Sequence, residues 1–300
     1  MSRRPGSGRA DLIDRVPAPL LVLTAIASVQ VGSSIARGLF DELGAAGVTF
    51  LRLAFAALIL AAVTRPDVRR WSARAWLAAG LLGVAMAGMN LIFYLSLRTV
   101  PLGTAVTVEF LGPLLLALVQ TRRLLDLLWC GLALGGVLLL GFDTGGTAPL
   151  SGLVLAFVAG LFWASYIVLS ARLGRLVPGT GGLAVSLAVA AVLVLPFGHE
   201  GVTGVIDRPA LLIGVVAVAV LSSVLSYGLE MHALRRIPTR VFGILMSLEP
   251  AAAALAGLLI LRQRLGPAEI VALILVTLAS AGVTLARRDR TRREAGAAAA

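Results

Sequence analysis

Apolar side chains run along this chain in long unbroken blocks and do not alternate with polar ones. Between charged or Gly/Pro-rich interruptions the blocks fall at 19–38, 46–64, 75–97, 102–121, 125–142, 150–171, 181–198, 210–233, 239–261 and 267–286. Each approaches the roughly 20 residues that a helix needs to cross a hydrocarbon layer about 30 Å thick. Barrel strands would be shorter and would alternate, and backbone groups in lipid must pair within their own segment, so the blocks predict helices. The expected fold is all-α, a polytopic membrane protein with ten transmembrane helices. Arg3, Arg4, Arg9 and Arg15 precede an apolar run containing Ala25-Ile26-Ala27, the layout of a cleavable signal sequence. That run continues to about Leu39, which reads as a retained first helix.

Composition agrees with a lipid solvent. The 300 residues are 59% hydrophobic and 14% charged, with a mean hydropathy of +0.97, against about 45–50% and 25% for soluble domains. Ten crossings use about two thirds of such a chain, which leaves no room for a soluble catalytic domain. The net charge of +11 comes entirely from Arg, and its distribution decides its meaning. With the N-terminus inside, the inner segments hold 20 Arg and the outer loops only Arg98, Arg208, Arg262 and Arg264. This bias is the positive-inside pattern, so both termini are expected to be cytoplasmic and no nucleic-acid partner is implied. One cysteine, Cys130, and two histidines, His199 and His232, supply neither a disulfide framework nor a metal cluster. No nucleophile and base constellation and no phosphate-binding glycine loop is present, so neither an enzyme, an ATP-driven pump nor a bound cofactor is expected. Asp126 and Glu269, the latter just after Pro267, read as helix-start acids.

A shift of 137 positions lays 97–118 on 234–255 with seven identities in 22, among them Pro101 on Pro238 and Pro113 on Pro250. At a shift of 135, Ala36-Arg37 falls on Ala171-Arg172 and Gly47 on Gly182. The repeat relates helices one to five with helices six to ten. An odd number of helices per copy forces opposite orientations, which predicts two inverted five-helix repeats at 17–142 and 150–286. They are flanked by a cytoplasmic tail at 1–16 and a basic, Ala-rich tail at 287–300. Inverted repeats with a site at their interface belong to secondary transporters that work by alternating access. Pro113 and Pro250 each delete the helical bond to the carbonyl four residues back, those of Glu109 and Met246. Matched interruptions of this kind mark either the substrate pathway or packing kinks.

Ionisable residues inside the blocks are few: Arg52, Glu109, Glu230, Glu249 and, near an inner end, His232. Each charge at the bilayer centre costs on the order of 3 kcal/mol and needs a partner or a water-filled cavity. A carboxylate kept from water takes up a proton more readily and can carry it when the site changes face. Glu109 is therefore the candidate for proton coupling, with Glu249 or Glu230 as runners-up; the alternative is a fixed ion pair with Arg52 or an interhelical hydrogen bond. Gln30, Asn90, Tyr94, Tyr166 and Tyr227, with Arg52, are candidates for the substrate pathway. Ser33, Ser34, Ser165 and Ser226 are weaker ones, since serine in membrane helices commonly packs or bonds back to its own helix.

The stretches SVQVGSSIARGLFDELGAAGVTFLRLAFAALIL (28–60), GMNLIFYLSLRTVPLGTAVTVEFLGPLLLAL (88–118) and YGLEMHALRRIPTRVFGILMSLEPAAAALAG (227–257) resemble the EamA group of the drug/metabolite transporter superfamily. They are most similar to its bacterial threonine/homoserine exporter branch. The resemblance covers 17–286 and implies a ten-helix inner-membrane exporter of small amino acids or related metabolites, driven by the proton gradient, with a cavity between two five-helix halves. The alternative cargo is a lipophilic cation or a nucleoside-like molecule, against which only four Trp and three Tyr argue mildly. The implied partners are a small-molecule substrate, protons and the lipid bilayer, for a monomer or homodimer. One departure stands out: where members commonly carry Gly-Glu at the end of helix nine, this chain has Arg262-Gln263.

Overall fold

The computed structural model describes residues 16–119, 128–129, 131–136, 139, 149–177, 179–234, 236–237 and 239–298. Among them every regular element is a helix and none is a strand. In chain order they are α1 Ala18–Gly38, α2 Phe40–Thr64, α3 Ala73–Ser96, α4 Leu102–Glu109, α5 Leu111–Val119, α6 Leu150–Leu176, α7 Gly181–Gly198, α8 Glu200–Asp207, α9 Leu211–Ala219, α10 Ser226–Leu234, α11 Thr239–Met246, α12 Glu249–Leu259 and α13 Pro267–Ala298. Residues Val220–Leu225 join α9 to α10 as a π-helix. Among the described residues six stretches are long and apolar enough to cross a membrane: α1, α2, α3, α6, α7 and Leu211–Glu230. Shorter apolar helices lie at Leu102–Leu116, Glu249–Leu259 and Pro267–Gly282. Leu58, Val63, Val192 and Ile213 present large apolar side chains on the outside, the arrangement of an integral membrane protein whose solvent is hydrocarbon.

Local chemistry explains most element boundaries. Pro19 occupies the first turn of α1, where its missing N–H costs nothing. Ser72 caps α3 by accepting from the Ala75 N–H at 3.3 Å. Helix α2 begins at Phe40, ahead of the expected 46, because a first turn carrying Asp41 and Glu42 is joined to the apolar helix across Gly44. Gly44 has a φ of 68°, a left-handed backbone that glycine adopts without strain. Helix α13 runs past the expected end at 286, since its Arg-, Glu- and Ala-rich continuation favours helix. Half of the residues of the fifth expected helix, 125–142, lie outside the described residues, Asp126 and Cys130 among them; 128–129, 131–136 and 139 are helical.

Helices four and nine of the sequence reading are each two helices in the structure. The first is broken at Phe110, between α4 and α5. The second is broken at Ser247-Leu248, between α11 and α12. The 137-residue shift lays Phe110 on Ser247, and each proline follows its break by three residues. Each proline offers no N–H to the carbonyl four residues back, so the chain breaks just ahead of it and the proline falls in the first turn of the next helix, where it is tolerated.

The core forms where small residues let helices approach. Helix α2 packs on α7, α3 on α6 and α7, α1 on α10, and α4 on α12. A Cβ on Gly83 would meet Val189 and the Ser186 carbonyl, and one on Gly88 the Phe162 ring. The Ser186 hydroxyl donates to the Ala79 carbonyl at 3.0 Å across the α3–α7 contact. Close backbone approach and interhelical bonds of this kind replace the hydrophobic drive that lipid removes.

Candidate functional site

The two breaks aim polar side chains at one buried centre. Arg52 projects from the middle of α2 and is only 5% exposed. A buried guanidinium is tolerated when its N–H groups find acceptors. Its Nε donates to Ser223 Oγ at 3.1 Å, one terminal nitrogen to the Tyr94 hydroxyl at 2.9 Å, and the other to the Ser222 carbonyl at 2.8 Å. The guanidinium also sits 5.3 Å from the Tyr94 ring centroid, a cation–π contact. Ser222 and Ser223 belong to the π-helix, whose widened turn disturbs the regular bonding of its carbonyls. Arg52 thus ties the first half of the chain to this irregular turn in the second. Tyr94 is fully buried and held from the other side by Phe40, its ring centroid 5.5 Å away.

Glu249 opens α12 at the second break and is 8% exposed. Gln30, 2% exposed on α1, donates from Nε2 to Glu249 Oε1 at 3.4 Å. Glu109 closes α4 at the first break, also 8% exposed, and lies near enough to Glu249 and Arg52 to sense their charges. The fixed Arg52–Glu109 ion pair weighed from sequence is absent: among the described residues, ion pairs within 4.0 Å join Arg70 to Asp67 and Arg208 to Glu42, both at the surface. Glu230 is half-buried on α10, within electrostatic range of Glu249, Tyr166 and Tyr227. The rings of Tyr166 and Tyr227 lie 6.0 Å apart.

The structure therefore brings together Arg52 with Tyr94, Gln30 with Glu249, and Tyr166 with Tyr227, and sets Glu109 among the charges. Asn90 is buried one turn before Tyr94, but its amide donates to the Met86 carbonyl at 2.8 Å. Ser34 and Ser165 likewise bond back to Gln30 and Leu161 carbonyls. Pro113 is half-buried and Pro250 buried. The carbonyl of Glu109 that Pro113 leaves without its helical donor is packed against Gly160 of α6, where a Cβ would overlap it. Among the described residues no group of three or more His, Cys, Asp or Glu side chains is placed to hold a metal ion.

Sequence reasoning missed two parts of this arrangement. Ser222 and Ser223 were hidden in an apolar run, though a Ser pair inside VLSSVLS is the kind of signal that a π-turn leaves. The second part lies at the other end of α4. Gln263 Oε1 accepts from the Leu102 N–H at 2.9 Å, Glu269 Oε1 accepts from the Thr104 hydroxyl at 3.0 Å, and Glu269 Oε2 accepts from the Gly266 N–H at 2.7 Å. Glu269 is a helix-start acid, as expected, and also a link between α13 and α4. Arg262 adopts a φ of 55°, a left-handed position where glycine would be unstrained. Gln263 supplies an acceptor oxygen, which Gln and Glu offer alike. Both halves of the Arg262-Gln263 departure thus have a structural reading.

Known proteins resemble this chain over most of its length. Residues 150–285 match the model of the EamA-like transporter family. The "Threonine/homoserine exporter RhtA" of Salmonella typhimurium (strain SL1344) is 43% identical over 272 residues, 90% of this chain and 92% of that protein. The protein of the same name from Escherichia coli (strain K12) is 42% identical over 276 residues, 91% of this chain and 93% of its own. A crystal structure of another protein, 22% identical, covers 91% of this chain and 98% of its own with a TM-score of 0.56, a likeness of fold.

Proposed function

Because the chain belongs to the EamA-like transporter family, we propose that it exports small amino acids of the threonine/homoserine kind, or related metabolites, across the bacterial inner membrane. The chain-long identity to threonine/homoserine exporters carries this reading. A zwitterion suits the buried centre: Arg52 offers positive charge to its carboxylate and the glutamates offer negative charge to its ammonium group. The pathway runs past Gln30, Asn90, Tyr94, Tyr166, Tyr227 and Arg52.

The working form is ten transmembrane helices in two inverted repeats, 17–142 and 150–286, with both termini cytoplasmic and the protein a monomer or homodimer. Two observations support the repeat. The helix breaks coincide under the 137-residue shift. Helix contacts also come in exchange pairs: exchanging the halves turns the α3–α6 contact into that of α9–α10 with α1, and both are made. Alternating access follows from such symmetry. In the positive-inside orientation, Gln263 and Glu269 fasten the outer end of α4, and Gly103 of α4 packs against Ala254 of α12. We read this as the outward-closed form.

Proton antiport drives export, with Glu109 as the coupling carboxylate and Glu249 or Glu230 as runners-up. The Tyr166–Tyr227 ring pair favours the second reading, a lipophilic cation or nucleoside-like cargo. Counterflow in proteoliposomes separates the two. Labelled threonine, homoserine, serine or cysteine should exchange, and a cationic dye should not; exchange of the dye alone would overturn amino acid export.

A further inference from the structure

We propose that Gln30 and Glu249 together seat the primary ammonium group of the cargo. The proposal deepens the amino acid export reading and rests on it. Both side chains are more than nine-tenths buried, and the amide Nε2 of Gln30 faces Glu249 Oε1. That orientation leaves Gln30 Oε1 and Glu249 Oε2 buried without a hydrogen-bond partner.

Both orphan atoms are acceptors, one an amide oxygen and one a carboxylate oxygen. Two such atoms on hydrogen-bonded side chains, one of them a carboxylate that a bound cation keeps ionised, select a ligand rich in donors and positively charged. A primary ammonium has three N–H donors and meets both at once. A hydroxyl has one donor and no charge, and a carboxylate has no donor and is repelled.

The position of the pair strengthens the assignment. Gln30 lies on α1 and Glu249 in the first turn of α12, at the helix break, so the seat spans the two halves of the chain. Other polar groups of the centre compete less: the Asn90 amide donates to Met86, three N–H groups of Arg52 go to Tyr94, Ser222 and Ser223, and the buried Ser222 and Ser226 hydroxyls, though unpartnered, carry no charge for a cation. A guanidinium has five N–H donors, so Arg52 retains two toward a carboxylate. Glu109 is also a buried carboxyl group, but no amide oxygen is paired with it. The ammonium is thereby directed to the Gln30–Glu249 pair.

The test uses the full chain in proteoliposomes, with threonine and 3-hydroxybutyrate, which is threonine without its amine, as competitors of labelled threonine. In the unaltered protein 3-hydroxybutyrate should compete at least thirtyfold more weakly than threonine. Gln30→Met and Glu249→Gln should each weaken threonine at least tenfold, the loss of a charge-assisted bond, while leaving 3-hydroxybutyrate within about twofold. Gln30→Glu keeps an acceptor oxygen and should keep the preference for the amine. Equal weakening of both competitors, or equal competition by both in the unaltered protein, overturns the seat. So does a tenfold dependence of threonine affinity on sodium, which would assign the oxygens to a metal cation. Should no amino acid exchange at all, the export reading fails and the seat is read separately. Ethanolamine should then raise the melting temperature of the purified protein and not that of Gln30→Met; no rise overturns the seat as well.

Discussion

The two broken helices carry the same backbone defect in different surroundings. At the first break, the Glu109 carbonyl released by Pro113 presses on Gly160, and Gly112 in turn lies against the Gly160 carbonyl, so neither glycine has space for a side chain. Backbone meets backbone there, and the Glu109 side chain is left to the field of Arg52 and Glu249. At the second break α1 runs alongside, and a polar side chain, Gln30, reaches the carboxylate instead. Proline supplies both interruptions, but the first is locked by packing and the second is occupied by hydrogen-bonding groups. A repeated sequence therefore fixes where the chain breaks and leaves the chemistry of each break to its neighbours.

Filling the first break should have the largest effect. Gly160→Leu forces apart α6 and the α4–α5 junction and should destabilise by about 3 kcal/mol or more. Little folded protein should elute in detergent size-exclusion, whereas Gly228→Leu, at a glycine with open space on α10, should elute normally. A well-folded Gly160→Leu would remove the distinction between a packed and a polar break.

Replacing Arg52 comes next. Arg52→Met strands the Ser222 carbonyl and the Tyr94 hydroxyl, at about 1–3 kcal/mol for each buried group, and transport should fall at least tenfold. Arg52→Lys keeps the charge but not the fork of three bonds, so it should recover only part of the rate.

Restoring the missing N–H groups is milder. Pro113→Ala and Pro250→Ala should each slow counterflow a few-fold and stabilise by about 1 kcal/mol, the worth of a returned hydrogen bond. The gain should be smaller at Pro113, where Gly160 crowds the carbonyl. The smallest effect lies outside both breaks. Arg262→Gly relieves a left-handed residue and should gain about 1 kcal/mol, measured by thermal melting, with transport unchanged within twofold.

Much of this was legible in the chain. Block lengths located α1, α3 and α7 to within two residues, because lipid fixes both the length and the hydrogen bonding of a crossing. The prolines located both breaks through the donor they lack. The partners were not legible. Whether Arg52 meets Glu109 or the π-turn depends on how α2 packs against α9 and Val220–Leu225, and a conspicuous acid stands out in the chain more than the Ser222-Ser223 pair that holds Arg52. Asn90 stood out as polar in an apolar run, yet its own helix satisfies its amide donor. Gln263 looked like a lost acid and is an acceptor for the first turn of α4.

The central claim is that the two carboxylates at the breaks do different work, Glu109 for the proton and Glu249 for the cargo. The direct measurement compares Glu109→Gln and Glu249→Gln in the same proteoliposomes, with and without a pH gradient. Glu109→Gln should keep threonine counterflow within about twofold and lose stimulation by the gradient. Glu249→Gln should lose threonine counterflow at least tenfold under both conditions. Full stimulation by the gradient in Glu109→Gln, or the same loss in both variants, would contradict the account.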